Sequence, residues 1–189
     1  MTQYKLTEET KEYYVITLHR IELTQDCKWG KKGDKGGWIQ SVDNLSEDAW
    51  VGGEACVWGG ARVSGNACVC GNAQVYGNAQ VYEDAQVSGN AYVYGNAHVS
   101  GNAHVFGDAQ VSDNAKVFGN AILVKGFYTI QHIIGGEWAK VPLTIVGSKH
   151  PMNISSPGIV RIGCYHKPIG EWLNEYEGIG KAEGYGEAW

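Results

Sequence analysis

Several features that mark common protein classes are missing from this chain of 189 residues. No segment approaches the roughly 18 apolar residues that a membrane-spanning helix needs, so we expect no membrane partner. The N-terminal segment MTQYKLTEETKEYY is polar and acidic, unlike a secretory signal peptide. Together these absences predict a cytoplasmic protein.

The chain also lacks the motifs that hold cofactors. It contains no Walker loop and no dinucleotide-binding glycine fingerprint. Its five cysteines are an odd number, which argues against a disulfide framework. Cys68 and Cys70 flank Val69 and point outward together, but a soft-metal site would need two further ligands at fixed spacing. We therefore predict reduced structural thiols, no metal and no cofactor.

Basic side chains are scarce in one part of the chain, and acidic side chains are scarce in the part that follows it. Residues 39–122 carry eight acidic and two basic side chains, whereas residues 123–170 carry five basic side chains, one acidic side chain and three histidines. An anionic ligand would be attracted to the second segment. An ordinary charged surface explains the same excess, so both interpretations stay open at this point.

Glycine is abundant, with 27 residues, and much of it belongs to a six-residue repeat of the form Val-x-Gly-Asn-Ala-x. Valine recurs at every sixth position from Val51 to Val117, and alanine follows four places later, from Ala55 to Ala121. Ile39 and Leu45 extend the phase backwards. A period this regular indicates a solenoid.

Each six-residue unit has the chemistry of one strand and one corner. Valine is β-branched and suits a short inward-facing strand position, with its neighbours pointing outward. The Gly-Asn pair tolerates the positive φ of a tight turn. Alanine fits inside the corner, where a larger side chain would clash. Three units close a triangle of eighteen residues, so fourteen units give between four and five coils.

This pattern resembles the left-handed parallel β-helix of the hexapeptide-repeat superfamily, and the left hand rests on that resemblance alone. The resemblance implies an all-β chain, and trimers packed along the prism are common in the superfamily. We predict an N-terminal β cap over residues 1–38, the β-helix over 39–124, and a small α/β extension over 125–189. In the extension, two strands flank Gly135 and Gly136, and an amphipathic helix begins at Pro168.

The flanking motifs resemble one group more closely. The segment KGDKGGWI ending at Ile39, the NLS at residues 44–46 and the IGC at residues 162–164 are similar to those of small hexapeptide-repeat proteins encoded in phage and prophage genomes. The resemblance covers nearly the whole chain. It implies a phage origin, and therefore the cytosol of a host cell, but no established activity.

Stacking the units by eighteens places aromatic side chains on one outer face: Trp58, Tyr76, Tyr92 and Tyr94. Three interpretations compete. The rings could simply suit exposed strands, form an oligomer interface, where Tyr and Trp are enriched, or offer a platform for sugars or nucleobases. We favour an interface.

Fewer features of the sequence support an enzyme. Superfamily acyltransferases that use acyl-CoA place a catalytic histidine beside a loop that interrupts the coils, and these coils are uninterrupted. His98 and His104 lie on different faces, without a recognisable relay. The histidine set of the γ-class carbonic anhydrases is missing. We predict no catalytic residue, and keep acyl transfer through His98 or His104 as an alternative.

The leading hypothesis is a non-enzymatic, homotrimeric binding protein. In its sharper form it sequesters a small anionic host molecule, such as a signalling nucleotide, and contacts no duplex nucleic acid. The alternative is a structural scaffold that docks a protein partner. Charge and hydrogen-bond donors for an anion would come from the basic segment: Lys149, His150, Arg161, His166 and Lys167.

Overall fold

The computed structural model describes residues 3–46, 48–128, 132–138, 144–145, 152–156, 158–162, 165–172 and 175. Contacts divide the chain into two compact units, Met1–Val141 and Pro142–Trp189. The first unit is a parallel β-solenoid. Six strand segments stack along one face between Trp38 and Phe127, which makes five turns. The predicted all-β parallel β-helix is confirmed, and its left hand stays a prediction.

The six-residue units form two-residue strands that pair in parallel with the unit eighteen positions later, as Cys56 pairs with Gln74 and His98 with Lys116. Two later strands are longer because they continue around a corner. The strands are β4 (Trp50–Val51), β5 (Cys56–Val57), β6 (Arg62–Val63), β7 (Cys68–Val69), β8 (Gln74–Val75), β9 (Gln80–Val81), β10 (Gln86–Val87), β11 (Tyr92–Val93), β12 (His98–Val99), β13 (His104–Val111) and β14 (Lys116–Tyr128).

The inward positions of the repeat form one continuous core. Every repeat valine from Val51 to Val117 and every repeat alanine from Ala55 to Ala121 has no exposed surface. Each buried valine contributes about 1.5–3 kcal/mol of transfer free energy, before the cost of ordering the backbone. The predicted roles of valine in the strand and alanine in the corner are confirmed.

Most corners contain a glycine at positive φ, and Glu83 and Asp113 take the same position at φ 61° and 53°. Gly77 has a φ of 72°, and a Cβ built on it would lie 3.0 Å from the backbone nitrogen of Gly95 in the next coil. The asparagine side chains next to these glycines hydrogen-bond from coil to coil. Asn72 donates to Asn90 at 3.2 Å, and Asn90 donates to Asp108 at 3.2 Å. Each corner therefore links one coil to the next as well as turning the chain.

An antiparallel β cap covers the N-terminal end. It consists of β1 (Tyr4–Tyr13), β2 (Ile16–Leu23) and β3 (Lys35–Ile39), and β3 then pairs in parallel with β5. Tyr4, Ile21 and Leu23 belong to the solenoid core, and the Tyr4 hydroxyl donates to the Leu45 carbonyl at 2.6 Å. A 3₁₀ turn at Val42–Asn44 leads into the repeat. The predicted cap is confirmed as a β structure.

The solenoid continues past the last six-residue unit with steps of five residues. In β14, Tyr128 pairs with Val111, and β15 (His132–Trp138) pairs with β14 so that Ile133 lies beside Val117. Tyr128 and Ile133 have no exposed surface. Gly135 and Gly136 lie inside β15, so the prediction that they separate two strands is wrong.

The five-residue step differs from the six-residue step by one deleted corner residue. Gly126 pairs with Ala109 and Leu123 with Val105, so Phe106 and Gly107 lie opposite the single residue Val124. Gly136 likewise pairs with Ala121 and Ile133 with Val117, so Phe118 and Gly119 lie opposite the single residue Ile134. The small inward position is kept as glycine, and Gly126 has a positive φ of 114° in place of the corner glycine. The predicted division into residues 1–38, 39–124 and 125–189 stays a prediction.

The second unit contains a four-stranded antiparallel sheet. Its strands are β16 (Thr144–Ile145), β17 (Met152–Ser156), β18 (Ile159–Ile162) and β19 (Tyr165–Pro168). Residues 169–172 are helical, so Pro168 ends a strand rather than beginning the helix as predicted. The Trp172 indole is buried and donates to the Val160 carbonyl at 2.9 Å.

Among the described residues, no helix is both long enough and apolar enough to cross a bilayer. The cytoplasmic location stays a prediction.

Candidate functional site

The outward side chains of the solenoid form three faces of different character. The first face carries no charged residue among its eight central positions, whereas the second face carries Arg62, His98 and Lys116, and the third carries Cys68, Cys70 and His104. The first face comprises two adjoining rows: Trp58, Tyr76, Tyr94 and Ser112 beside Cys56, Gln74, Tyr92 and Gln110.

On the first face, three rings stack one coil above another. The Trp58 and Tyr76 ring centroids lie 4.6 Å apart with planes 4° from parallel, and Tyr76 and Tyr94 lie 5.0 Å apart at 3°. This spacing is set by the parallel pairing of the strands beneath the rings. Because the rings cover one another's faces, the stack presents mainly ring edges to its surroundings.

The N-terminal cap extends this stack with a residue that the repeat pattern does not contain. Tyr13 lies 5.0 Å from Trp58, and its hydroxyl donates to Gln74 Oε1 at 2.8 Å. Burial raises the pKa of the Tyr13 hydroxyl. Beside it, Leu18 packs with Trp38 and Cys56 in a small cluster outside the main core. The hairpin therefore covers one end of the first face.

The remaining part of the first face is half-buried within the single chain. Tyr76, Tyr92 and Tyr94 are all of intermediate exposure, and burial raises the pKa of the Tyr76 hydroxyl, with Tyr94 adding to the effect. Tyr92 lies in the adjoining row, in register with Gln74 and Gln110. The predicted aromatic face thus contains a three-ring stack with Tyr92 beside it.

A charged cluster bounds the first face on the side of the cap. Glu54 accepts a hydrogen bond from the Trp38 indole at 3.0 Å and pairs with Arg20 at 3.0 Å. The indole hydrogen bond and then the Arg20 guanidinium hold the pKa of Glu54 below its usual value. The Arg20 guanidinium also lies 4.9 Å from the Trp38 ring centroid. These contacts fasten the cap to the first coils.

The two histidines of the acyl-transfer alternative lie on separate faces. His98 belongs to β12, and its ring centroid lies 6.3 Å from that of Tyr82, with the ring planes at 84°. His104 begins β13 and pairs with Gln86. Within the described part of the chain, neither histidine hydrogen-bonds to a carboxylate, serine or cysteine. Nothing in this arrangement adds support to acyl transfer.

The predicted anion-binding residues lie in the second unit, where fewer side chains are described. Lys149 and His150 lie outside the described residues. The backbones of Arg161 and His166 are register partners on β18 and β19, and Lys167 follows at once. The Lys167 ammonium pairs with Glu175 at 2.6 Å. The pairing brings two of the five predicted residues to adjacent strands, and a third forms an ion pair.

The described cysteines are reduced and differ in exposure. Cys27, Cys56, Cys68 and Cys70 are all free thiols, and Cys164 lies outside the described residues. Cys56 is buried, whereas the other three are half-exposed. No group of three or more metal-ligating side chains occurs in the part of the chain that the structure describes.

Comparison with known families gives one similarity. A profile described as the YdcK beta solenoid repeat matches residues 61–77, 73–89 and 85–101, each match beginning two six-residue units after the one before it. No curated protein matches the chain closely enough to count as a relative. With the strand pairing above, the match establishes a β-solenoid repeat protein.

Proposed function

We propose that this chain is a non-enzymatic binding protein that assembles into a homotrimer through the first face of its solenoid. Its origin in a phage or prophage genome is part of the proposal and rests on the flanking sequence motifs. The observation that carries the assembly is the stack of Trp58, Tyr76 and Tyr94 on a face without charge.

The chemistry of the first face supports burial against another copy of the chain. Covering Tyr76, Tyr92, Tyr94 and their glutamine neighbours would desolvate no charged group, so no unpaired ion would oppose association. The exposed ring edges offer area, while glutamines and tyrosine hydroxyls can hydrogen-bond across an interface. Burying the second face in the same way would desolvate the charged side chains of Arg62 and Lys116.

The same geometry weighs against a stacking platform for sugars or nucleobases. A base needs an open ring face on which to lie. Both faces of Tyr76 are covered, by Trp58 and by Tyr94, and Tyr13 lies 5.0 Å from Trp58 at a tilt of 52°. Among the described residues of the stack, this leaves a ring face of Tyr94 at its end. An interface therefore accounts for the stack better than a platform does.

Oligomeric mass in solution tests the proposal. Replacing Tyr76 and Tyr94 with serine is expected to convert a trimer into a monomer, measured by native mass spectrometry and light scattering. Tyr82→Ser is the matched control, because Tyr82 is a half-exposed tyrosine at the equivalent strand position on the second face. A monomeric wild type, or a trimer that survives the double substitution, would contradict the proposal.

Sequestration of a small anionic molecule is the second candidate function, and the Arg161–His166 register pair favours it. Two cationic or hydrogen-bonding residues on adjacent strands suit a phosphate group. Nucleotides in excess are expected to raise the melting temperature of the wild type, and Arg161→Ala should abolish the rise. Arg62→Ala on the solenoid is the control. No shift with any nucleotide in the wild type would remove this candidate.

A further inference from the structure

We propose that Cys68 and Cys70 form a two-sulfur site for a thiophilic centre that needs only two protein ligands, such as a trivalent organic arsenical. The site lies on the third face and is separate from the proposed assembly surface. The two thiols flank the buried Val69 on one coil, and both are half-exposed.

The surroundings of the two thiols are apolar on one side and open on the other. Cys68 pairs with Trp50 in the preceding coil and Gln86 in the following coil. Cys70 lies beneath Gly52, whose Cβ position is 3.8 Å from the Cys70 Cβ. The Trp50 indole lies over Gly52, with its Nε1 atom 3.0 Å from that position. Because glycine has no side chain here, the Trp50 indole packs beside Cys70 and forms the apolar side of the site.

The electrostatics favour one thiolate at neutral pH. A hydrogen bond from the Cys68 thiol lowers the pKa of Cys70 to about 7, and giving that hydrogen bond raises the pKa of Cys68. The Lys28 ammonium, which donates to Asn66 Oδ1 at 2.6 Å, adds positive charge near Cys68. Cys70 is therefore the attacking sulfur, and Cys68 supplies the second bond.

The backbone geometry favours a bridge through an added atom over a direct disulfide. Two residues along a strand rise about 6.6 Å, which is near the upper limit of about 6.8 Å between the Cα atoms of a disulfide. The coil cannot shorten easily, because the Cys68 and Cys70 amides donate to Ala85 and Val87 in the next coil at 3.0 and 2.9 Å. An atom between the two sulfurs spans the gap without moving the strand.

The reaction needs no oxidant. With an arsenical oxide, R–As=O, the Cys70 thiolate and then the Cys68 sulfur each form an As–S bond. The arsenic–oxygen bonds break, and the oxygen leaves as water with the two thiol protons. Arsenic stays trivalent, with one carbon and two sulfur ligands, so no third protein ligand is required.

Titration of the reduced full-length protein with phenylarsine oxide, followed by native mass spectrometry, tests this site. The wild type is expected to retain one equivalent in the presence of excess monothiol. Cys68→Ser and Cys70→Ser should each weaken binding on the order of 100-fold, because the chelate is lost. Cys27→Ser, Cys56→Ser and Cys164→Ser are the controls and should bind as the wild type does.

Two results would overturn the proposal. One is full retention of the arsenical by Cys70→Ser with an unchanged circular dichroism spectrum, which shows that the half-exposed variant is folded. The other is loss of the arsenical from the wild type as excess monothiol is added, because a chelate through two sulfurs should resist that competition.

Discussion

The six-residue coils and the five-residue coil that follows them fill the interior of the solenoid with different side chains. In the six-residue coils, valine and alanine fill the interior, and a residue at positive φ, in most units a glycine, makes each corner. In the last coil, the larger Leu123, Tyr128 and Ile133 fill the interior, and glycine replaces the inward alanine at Gly126 and Gly136. The stacking of one coil on another is thus preserved although the period changes.

The difference shows which part of the repeat is essential. Removing one corner residue shortens the side of the coil, and a larger inward side chain next to a glycine fills the interior. The alternation of a large and a small inward position persists in both regions. This alternation, more than the number six, defines the solenoid.

The largest expected effect comes from emptying the last coil. Tyr128→Ala should lower the free energy of unfolding by about 3–5 kcal/mol, because a fully buried aromatic side chain is removed. Val111→Ala, at the register partner in the six-residue region, should cost less. Urea denaturation of both variants measures the comparison. An equal or smaller loss for Tyr128→Ala would mean that the last coil is not packed on the core.

Changing the length of a corner should have the next largest effect. Deleting Gly95 removes a carbonyl that accepts from the Asn78 amide at 2.7 Å and displaces the neighbouring Asn96, which donates to Asp113. We expect a loss of about 2–3 kcal/mol. Inserting a glycine after Val124 restores a six-residue unit and should cost less than about 1 kcal/mol.

Thermal denaturation of the deletion and insertion variants checks this asymmetry. If the insertion is as damaging as the deletion, the last coil has a fixed geometry of its own and is not a shortened six-residue unit.

A single methyl group should distinguish the glycines of the two regions. Gly77→Ala places a Cβ at a positive φ and 3.0 Å from the Gly95 nitrogen, so we expect a loss of about 1–2 kcal/mol. Gly135 has open space around its Cβ position and no positive φ, so Gly135→Ala should be neutral or stabilising by about 0.4–1 kcal/mol. Calorimetric melting temperatures measure both, and equal losses would contradict the assignment of corner and strand glycines.

The smallest expected effect concerns the opposite end, where the cap is held partly by charge. The pKa of Glu54 is lowered in the folded protein, so its contribution is present above the unfolded value of about 4.3 and is lost as the pH falls through the folded value. Because Glu54 is half-exposed, Glu54→Gln should cost no more than about 1 kcal/mol at neutral pH.

At pH 3 the Glu54→Gln variant and the wild type should converge in stability. Unfolding curves at neutral and acidic pH measure this convergence, with Glu8→Gln on the same cap as the control. A stability difference that persists unchanged in acid would assign the effect to packing and not to charge.

The sequence predicts the six-residue region almost completely, because valine, alanine and glycine at fixed spacing each have one physical role. It does not predict the last coil by that period, since Leu123, Tyr128 and Ile133 recur every five residues and their glycines mimic a turn between strands. That five-residue recurrence was the available signal. Tyr13 joins the aromatic stack through the fold of the hairpin, and no local pattern indicates it. The cysteine pair is visible in the sequence, whereas its two unequal thiols depend on side-chain geometry.

Amide hydrogen exchange across the last coil tests most directly the claim that one solenoid continues through the change of period. The account predicts that the amides of Tyr128 and Ile133 exchange as slowly as that of Val93, because all three residues lie in strands paired with the preceding coil. Protection that ends abruptly after Leu123 would contradict it.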